Sequence, residues 1–149
     1  MNVTFRQAVE DDLSEAVALM HDDVLGSRRE SGDIEVYRTA FQKMQAEPFN
    51  QLIVGEADGG RIVAVYQFTL ITGISQIGLR RAQVEAVRVA ADVRSQGIGK
   101  AAMEDAEDRA RNAGARLMQL TSNKERDRTH EFYRRLGYVD THLGFKKPL

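Results

Sequence analysis

The sequence predicts an α/β fold built on a mixed sheet, with its elements in the order β-α-α-β-β-β-α-β-α-β. Three observations predict it. Apolar stripes at helical spacing alternate along the chain with short β-branched runs. Two of those runs, Gln51 to Glu56 and Arg61 to Leu70, are joined by Ala57-Asp58-Gly59-Gly60, a strong hairpin signal. Further on, a β-rich run passes through a glycine loop into an amphipathic helix, and a strand follows that helix.

The elements follow in order. Val3 to Gln7 alternates apolar and polar, as a short strand does. Asp11 or Asp12 can cap the next helix, whose stripe is Leu13, Ala16, Val17 and Met20. Leu25 to Gly32 is polar and reads as a loop, and Asp33 to Gln45 is helical until Pro48 stops it. After the hairpin, Gly73 to Leu79 connects to a strand over Gln83 to Ala90 that carries inserted charges. Ile98 to Ala113 is a helix with Ile98, Ala102, Met103, Ala106, Ala110 and Ala113 on one face and Gly114 as its stop. Leu117 to Thr121 is a strand, Arg126 to Leu136 a helix closed by Gly137, and Tyr138 to Phe145 the last strand. No repeat, linker or low-complexity tract interrupts residues 1–149, so one domain is expected.

Composition excludes several classes. With 21 basic and 22 acidic residues the net charge is −1, so no global basic field invites nucleic acid or an anionic membrane. The absence of cysteine excludes disulfides, thiolate zinc sites and a cysteine nucleophile. His21, His130 and His142 are isolated, without HExxH-like spacing, and no metal is expected. No run of 18 apolar residues occurs, and the first residues lack the apolar stretch of a signal peptide. A soluble cytoplasmic protein is the expectation.

The stretch Val87 to Lys100 carries the chemistry. Here a strand meets a loop with two glycines, and the loop opens a helix whose first N–H groups lack intrahelical partners. The helix dipole adds partial positive charge there, and glycine admits a bulky anion without a Cβ clash. With Arg94 and Lys100 flanking it, the loop suits a pyrophosphate. A P-loop is rejected, because Lys100 is followed by Ala101 and the leading glycine is missing. Gly97, Gly99 and Ala102 satisfy GxGxx(G/A) formally. However, no acidic residue closes the next strand, and about fifty residues are too few for the rest of a doubly wound fold. A glycine-containing helix start with no ligand is also compatible with this segment taken alone.

Arg94-Ser95-Gln96-Gly97-Ile98-Gly99 resembles the (R/Q)xxGx(G/A) signature of the GNAT N-acetyltransferases. Downstream, Leu120-Thr121-Ser122-Asn123 and then His130-Glu131-Phe132-Tyr133-Arg134-Arg135-Leu136-Gly137-Tyr138 is similar to the later motif of that superfamily. The resemblance implies the GNAT fold across the chain and acetyl-CoA as acyl donor. It places the pyrophosphate on Arg94, Ser95, Gln96, Gly97, Ile98, Gly99 and Lys100. It also places the pantetheine arm and acetyl carbonyl on backbone groups of Val87 and Val89, with Asn123 near the arm. Asn is equally a good turn or cap residue.

Acetyl transfer needs a base, because an amine with a pKa near ~10.4 is mostly protonated at neutral pH. Glu85 is the candidate, a carboxylate in a strand-forming run that shares a face with Val87 and Val89 by the two-residue period. The competing reading is a charge in a solvated cleft. Tyr133 corresponds to the tyrosine that protonates the leaving thiolate in much of the superfamily, and a phenol stays protonated at neutral pH. Its competing reading is core packing at helical spacing from Leu136, whereas the Phe132-Tyr133 pairing suggests a division of labour, with Phe132 buried and Tyr133 facing the cleft. The direct reaction in a ternary complex is expected, on a small-molecule amine. Arg28 and Arg29, the pair Arg80-Arg81, and His142 are lesser candidates for contact with the acceptor. The tail from Thr121 onward is similar to aminoalkylphosphonate N-acetyltransferases, and two arginine pairs would suit an anionic acceptor. Two alternatives stay open: an acyl-CoA binding module without turnover, and a protein or peptide N-acetyltransferase. A homodimer is the default assembly.

Overall fold

The computed structural model describes residues 1–23, 27 and 30–149. The chain divides into two compact units, Met1–Gln119 and Leu120–Leu149.

The first unit is organised by one sheet. Its strands are β1 (Val3–Gln7), β2 (Asn50–Ala57), β3 (Ile62–Thr72), β4 (Arg80–Val89) and β5 (Leu117–Leu120), in that spatial order. The first three pairings are antiparallel. At the other edge the Arg116 N–H donates to the Arg80 carbonyl at 2.9 Å, and the Gln119 amide donates to Gln83 at 2.8 Å. Both residue numbers climb together, so β5 runs parallel to β4 and the sheet is mixed, as expected. The hairpin forms where Gly59 and Gly60 supply two positive φ angles, 90° and 86°. Gly55 is required for a different reason. A Cβ there would stand 2.8 Å from the Phe5 ring and 3.0 Å from the Ala64 methyl.

Helices cover both faces. On one, α1 (Leu13–His21) packs against β3 and β4 while α2 (Ile34–Gln45) packs against α1 and β2. Ala16, Leu19, Phe41, Leu52, Val54 and Val65 belong to the core cluster beneath them. On the other, α3 (Ile98–Asn112) packs against β1, β3 and β4. There Tyr66, wholly buried, donates its hydroxyl to Asp105, which also accepts from Arg109 at 2.7 Å. Burial and that carboxylate push the Tyr66 hydroxyl far above the ordinary phenol range.

Two helix starts differ in origin. Asp33 caps α2, its carboxylate accepting the Glu35 N–H at 3.0 Å. Asp12 stands before α1 but does not cap it. Its oxygens instead take the Arg6 guanidinium at 2.7 and 2.9 Å and the Val9 N–H at 2.8 Å. The charged fork of Arg6 outcompetes the helix amides.

The second unit holds α4 (Asp127–Arg135), in which no residue is buried. The strand expected over Tyr138 to Phe145 is not formed, since no ladder pairs these residues. Its backbone bonds are local: Tyr138 N–H to the Tyr133 carbonyl and Thr141 N–H to the Val139 carbonyl, each 3.1 Å. The alternating pattern is present, but a strand needs a neighbour, and periodicity cannot supply one. Among the described residues, no helix is long and apolar enough to cross a membrane.

Candidate functional site

β4 is the strand that organises the site, and its register is broken. Gln67 of β3 faces Glu85, yet Val65 faces Arg88. Two residues of β4, Ala86 and Val87, therefore stand against Tyr66 alone, a β-bulge in which Ala86 adopts φ 53°. A left-handed alanine is uncommon, and strain of this kind collects at working sites.

The bulge corrects one expectation. Cross-strand partners share a face, so Glu85 goes with Gln67 and Arg88 goes with Val65, both on the α1–α2 side. Val89 faces Ala64 and belongs to the opposite side. Glu85 and Val89 thus do not share a face, because the inserted residue reverses the alternation. Val87 lies inside the bulge, outside the ladder. The carbonyl of Val87 accepts from Arg88 at 2.8 Å and that of Val89 from Arg94 at 3.1 Å. Glu85 itself is exposed.

Beyond the bulge, Ala91–Val93 makes one 3-10 turn, with Val93 buried beneath it. Ser95 and Gly97 then take φ 64° and 83°. Gly97 occupies the N-cap of α3, and its carbonyl accepts the Ala101 N–H at 3.0 Å. The N–H groups of Ile98, Gly99 and Lys100 precede the first intrahelical bond and carry the positive end of the dipole. Residues 94–97 and Lys100 are exposed, and a Cβ at Gly97 would meet nothing within 4 Å. Open amides, two left-handed residues and the Arg94 guanidinium fit a bulky anion such as a pyrophosphate.

Arg94 already has an anionic neighbour. Its guanidinium reaches the Asp22 carbonyl at 3.0 Å and the Asp22 carboxylate at 3.4 Å. Next door, Asp23 pairs with Arg88 at 3.2 Å. The end of α1 is thereby tied to both β4 and the glycine loop. A cavity of about 410 Å³ lies among His21, Asp22, Asp23, Ser27 and Arg94, and another of about 620 Å³ adjoins it between α1 and the start of α2. Arg28 and Arg29 lie outside the described residues. Arg80 donates to the Ala113 carbonyl at 2.9 Å and stacks over Phe49, which makes it a structural residue.

The sequence reading missed a polar row on the same face as Glu85. Asn50 faces Thr69, Thr69 faces Gln83, and Gln67 faces Glu85. Gln67 donates to Asn50 at 2.9 Å, and Gln119 donates to Gln83 at 2.8 Å. Amides from four strands thus line up beside the candidate base. The signal was present as Gln67-x-Thr69 and Gln83-x-Glu85, polar residues at period two inside apolar strands.

In the second unit, Tyr133 is half-buried on α4 and meets Phe132 and Tyr138 edge-on, at 5.1 and 5.9 Å between ring centres. Phe132 is also only half-buried, against the expectation of a core partner. Asn123 is a turn residue: its side-chain oxygen accepts the Glu125 N–H at 2.9 Å and its carbonyl contacts His130 Nε2 at 2.7 Å. His142 is exposed, with Nδ1 2.6 Å from the Thr141 hydroxyl. Among the described residues, no group of three or more His, Asp or Glu is placed to hold a metal ion.

Comparison with known proteins gives this geometry a context. The family model for the acetyltransferase (GNAT) family matches residues 17–138. An aminoalkylphosphonate N-acetyltransferase of Salmonella typhimurium is 39% identical over 67 residues, which span 45% of this chain and 44% of that protein. The chain therefore matches less than half the length of this curated relative. A crystal structure of a transcriptional regulator from Bacillus halodurans is 36% identical, with a TM-score of 0.93 over 99% of this chain and 100% of that one. Glucosamine-6-phosphate N-acetyltransferase from Arabidopsis thaliana shares the fold at 18% identity and a TM-score of 0.79, covering 99% of each chain.

Proposed function

The chain belongs to the acetyltransferase (GNAT) family, a family of acyltransferases, and from that premise we propose that it moves the acetyl group of acetyl-CoA directly to a primary amine. The observation that carries the reading is the bulged strand running into an open glycine loop at the start of α3. Ser95, Gln96, Gly97, Ile98, Gly99 and Lys100 hold the pyrophosphate through backbone N–H groups, and Arg94 supplies charge. Val87, freed from the β3 ladder, offers its backbone to the pantetheine arm, with Val89 beside it. Asn123 contributes at the arm through the part of its amide not engaged in the turn.

The bound thioester supplies an electrophilic acetyl carbon. Glu85, directly or through one water, takes a proton from the ammonium so that the nitrogen lone pair can form the new C–N bond. As the C–S bond breaks, the sulfur keeps the electron pair and takes the Tyr133 proton to become a thiol, while the second proton that the nitrogen loses on becoming an amide restores the phenol through water. Gln67, opposite Glu85 and bonded to Asn50, positions the acceptor beside the base. No covalent enzyme intermediate is needed, which suits a chain without cysteine.

The acceptor is a small molecule in this reading. An aminoalkylphosphonate is the first to test, because the Salmonella relative carries that name and Arg28 and Arg29 offer cationic contacts, and His142 a hydrogen bond, for its anion. Cytoplasmic location follows from the same reading, with neither nucleic acid nor membrane as partner. A second reading, an acyl-CoA sensing module, is favoured by the name of the Bacillus halodurans relative.

One experiment separates them. Thiol release from acetyl-CoA is followed across aminoalkylphosphonates, polyamines, amino acids and peptides. Glu85→Gln should lower kcat by roughly 10²–10⁴-fold, and Tyr133→Phe by about 10–100-fold, with the melting temperature unchanged because Glu85 is exposed. Stabilisation by acetyl-CoA with no turnover on any amine would instead establish the sensing module.

A further inference from the structure

We infer that Glu47, in the turn before β2, is a positioning residue of the acceptor site. Acting through Asn50, it fixes the Gln67 side-chain amide with its oxygen presented to the acceptor ammonium. The inference deepens the acetyl-transfer reading and rests on it for the identity of that ammonium.

The argument starts from the turn. Glu47-Pro48-Phe49-Asn50 closes with the Asn50 N–H on the Glu47 carbonyl at 3.3 Å, and Pro48 holds the second position, where its fixed φ suits a turn. The two side chains also meet, and Asn50 Nδ2 donates to Glu47 Oε2 at 2.6 Å. A carboxylate accepts and does not donate, so Asn50 must turn its NH2 group to Glu47. Its Oδ1 then takes Gln67 Nε2 at 2.9 Å and the Thr69 hydroxyl at 3.4 Å. An amide oxygen likewise only accepts, so Gln67 must give its NH2 group to Asn50. The polarity set by one carboxylate thus passes through two amides, and Gln67 Oε1 is the acceptor left over.

Among the described residues nothing donates to Gln67 Oε1. Nor is it one of the buried polar atoms without a partner, which are Arg80 Nε, Arg88 Nε and Ser122 Oγ, so solvent reaches it. Gln67 faces Glu85 across the ladder, and such partners stand about 5 Å apart at Cβ. A primary ammonium carries three N–H donors. Glu85 takes the proton that must leave, and Gln67 Oε1 holds a second N–H while it does so. A flipped Gln67 would turn its own N–H groups toward the cation.

Two measurements on the full chain test the relay. In the first, methylammonium chloride is titrated into isotope-labelled protein and the Gln67 side-chain amide is followed by NMR. Tetramethylammonium, which has no N–H, is the control. The Gln67 signal should shift with methylammonium alone. Glu47→Gln offers Asn50 an amide that serves it in either orientation, so the shift should shrink. Adding Asn50→Asp to that variant should restore it, because the carboxylate has moved one place along and accepts from Gln67 directly. In the second, thiol release is followed across the amine panel. Glu47→Gln should raise the acceptor KM about two- to fivefold, with kcat changed less and the acetyl-CoA KM unchanged. The double variant should return to the wild-type acceptor KM, a rescue that a merely structural role would not show. A Gln67 amide silent to methylammonium in the wild type, a Glu47→Gln variant that responds like the wild type, or a loss that Asn50→Asp does not restore would each overturn the inference. Absence of turnover on every amine would sink acetyl transfer instead, and the titration would still decide the relay.

Discussion

The two units bury their apolar side chains very differently. Every described residue that is buried lies in Met1–Gln119, whereas Leu120–Leu149 contains none. The first unit closes its own core: Tyr66, Ile53, Met103, Val54, Val63, Val65 and Val84 are all less than 2% exposed. The second holds a helix with no buried residue and an apolar face in water. The difference teaches where each element's order must come from. A sheet with helices on both faces is self-sufficient, while an amphipathic helix and a lone strand pattern draw their stability from whatever they meet.

The largest expected effect sharpens that contrast directly. Met103 sits on α3 at 1% exposure, so Met103→Ala removes packed atoms and leaves a cavity. It should cost about 2–5 kcal/mol in a denaturant titration. Leu143 is exposed, so Leu143→Ala should change stability by less than about 0.5 kcal/mol. Equal losses at the two positions would mean that Leu143 is buried within its own chain, and the contrast between the units would fail.

The sequence exposed the parts of this molecule whose physics is local. Gly59-Gly60 announced the hairpin because glycine takes the two positive φ angles without strain; Asp33, expected as the first helical residue, is instead the cap of α2, its carboxylate reaching an amide two residues on. The glycine loop was legible for the same reason, since Gly97 takes φ 83° at the cap of α3. What stayed hidden depended on distant partners. Nothing about Ala86 signals a bulge, so the face carrying Glu85 was misassigned beyond it. Asp11 or Asp12 is a plausible cap from sequence because Arg6, the partner Asp12 takes, competes only once β1 and the turn are folded. The alternation of Tyr138 to Phe145 was visible, but whether a neighbour exists to pair with it is not a local property.

Asp12 provides a smaller test of how the first unit closes on itself. The Arg6 guanidinium, helped by the Val9 N–H, holds the Asp12 carboxyl below its ordinary range against the opposing cost of burial. A depressed folded-state value stabilises the protein above the unfolded value near ~4, and that contribution disappears as pH falls through the folded value. Melting temperature should therefore drop on the acid side in the wild type. Asp12→Asn should lower stability by about 1–2 kcal/mol at neutral pH and flatten the acid limb. An unchanged limb would show that the pair titrates alike in both states.

The smallest effect concerns the tie between α1 and the glycine loop. The Asp22 carboxylate lies 3.4 Å from the same Arg94 guanidinium that the proposed pyrophosphate would engage. Both side chains are about half exposed, so water and salt screen the contact and the ion pair itself is weak. Its influence on an incoming anion has a definite sign nonetheless: a carboxylate beside the cradle repels the ligand and occupies part of the cation that should greet it. Asp22→Asn keeps the backbone carbonyl contact to Arg94 at 3.0 Å and removes only the charge. Affinity for acetyl-CoA, read by calorimetry, should rise by a factor of about two to five, a step of under ~1 kcal/mol. The gain should shrink as ionic strength increases, because a screened carboxylate no longer competes. Weaker binding in the variant would assign Asp22 the opposite role, that of holding Arg94 in place for the ligand.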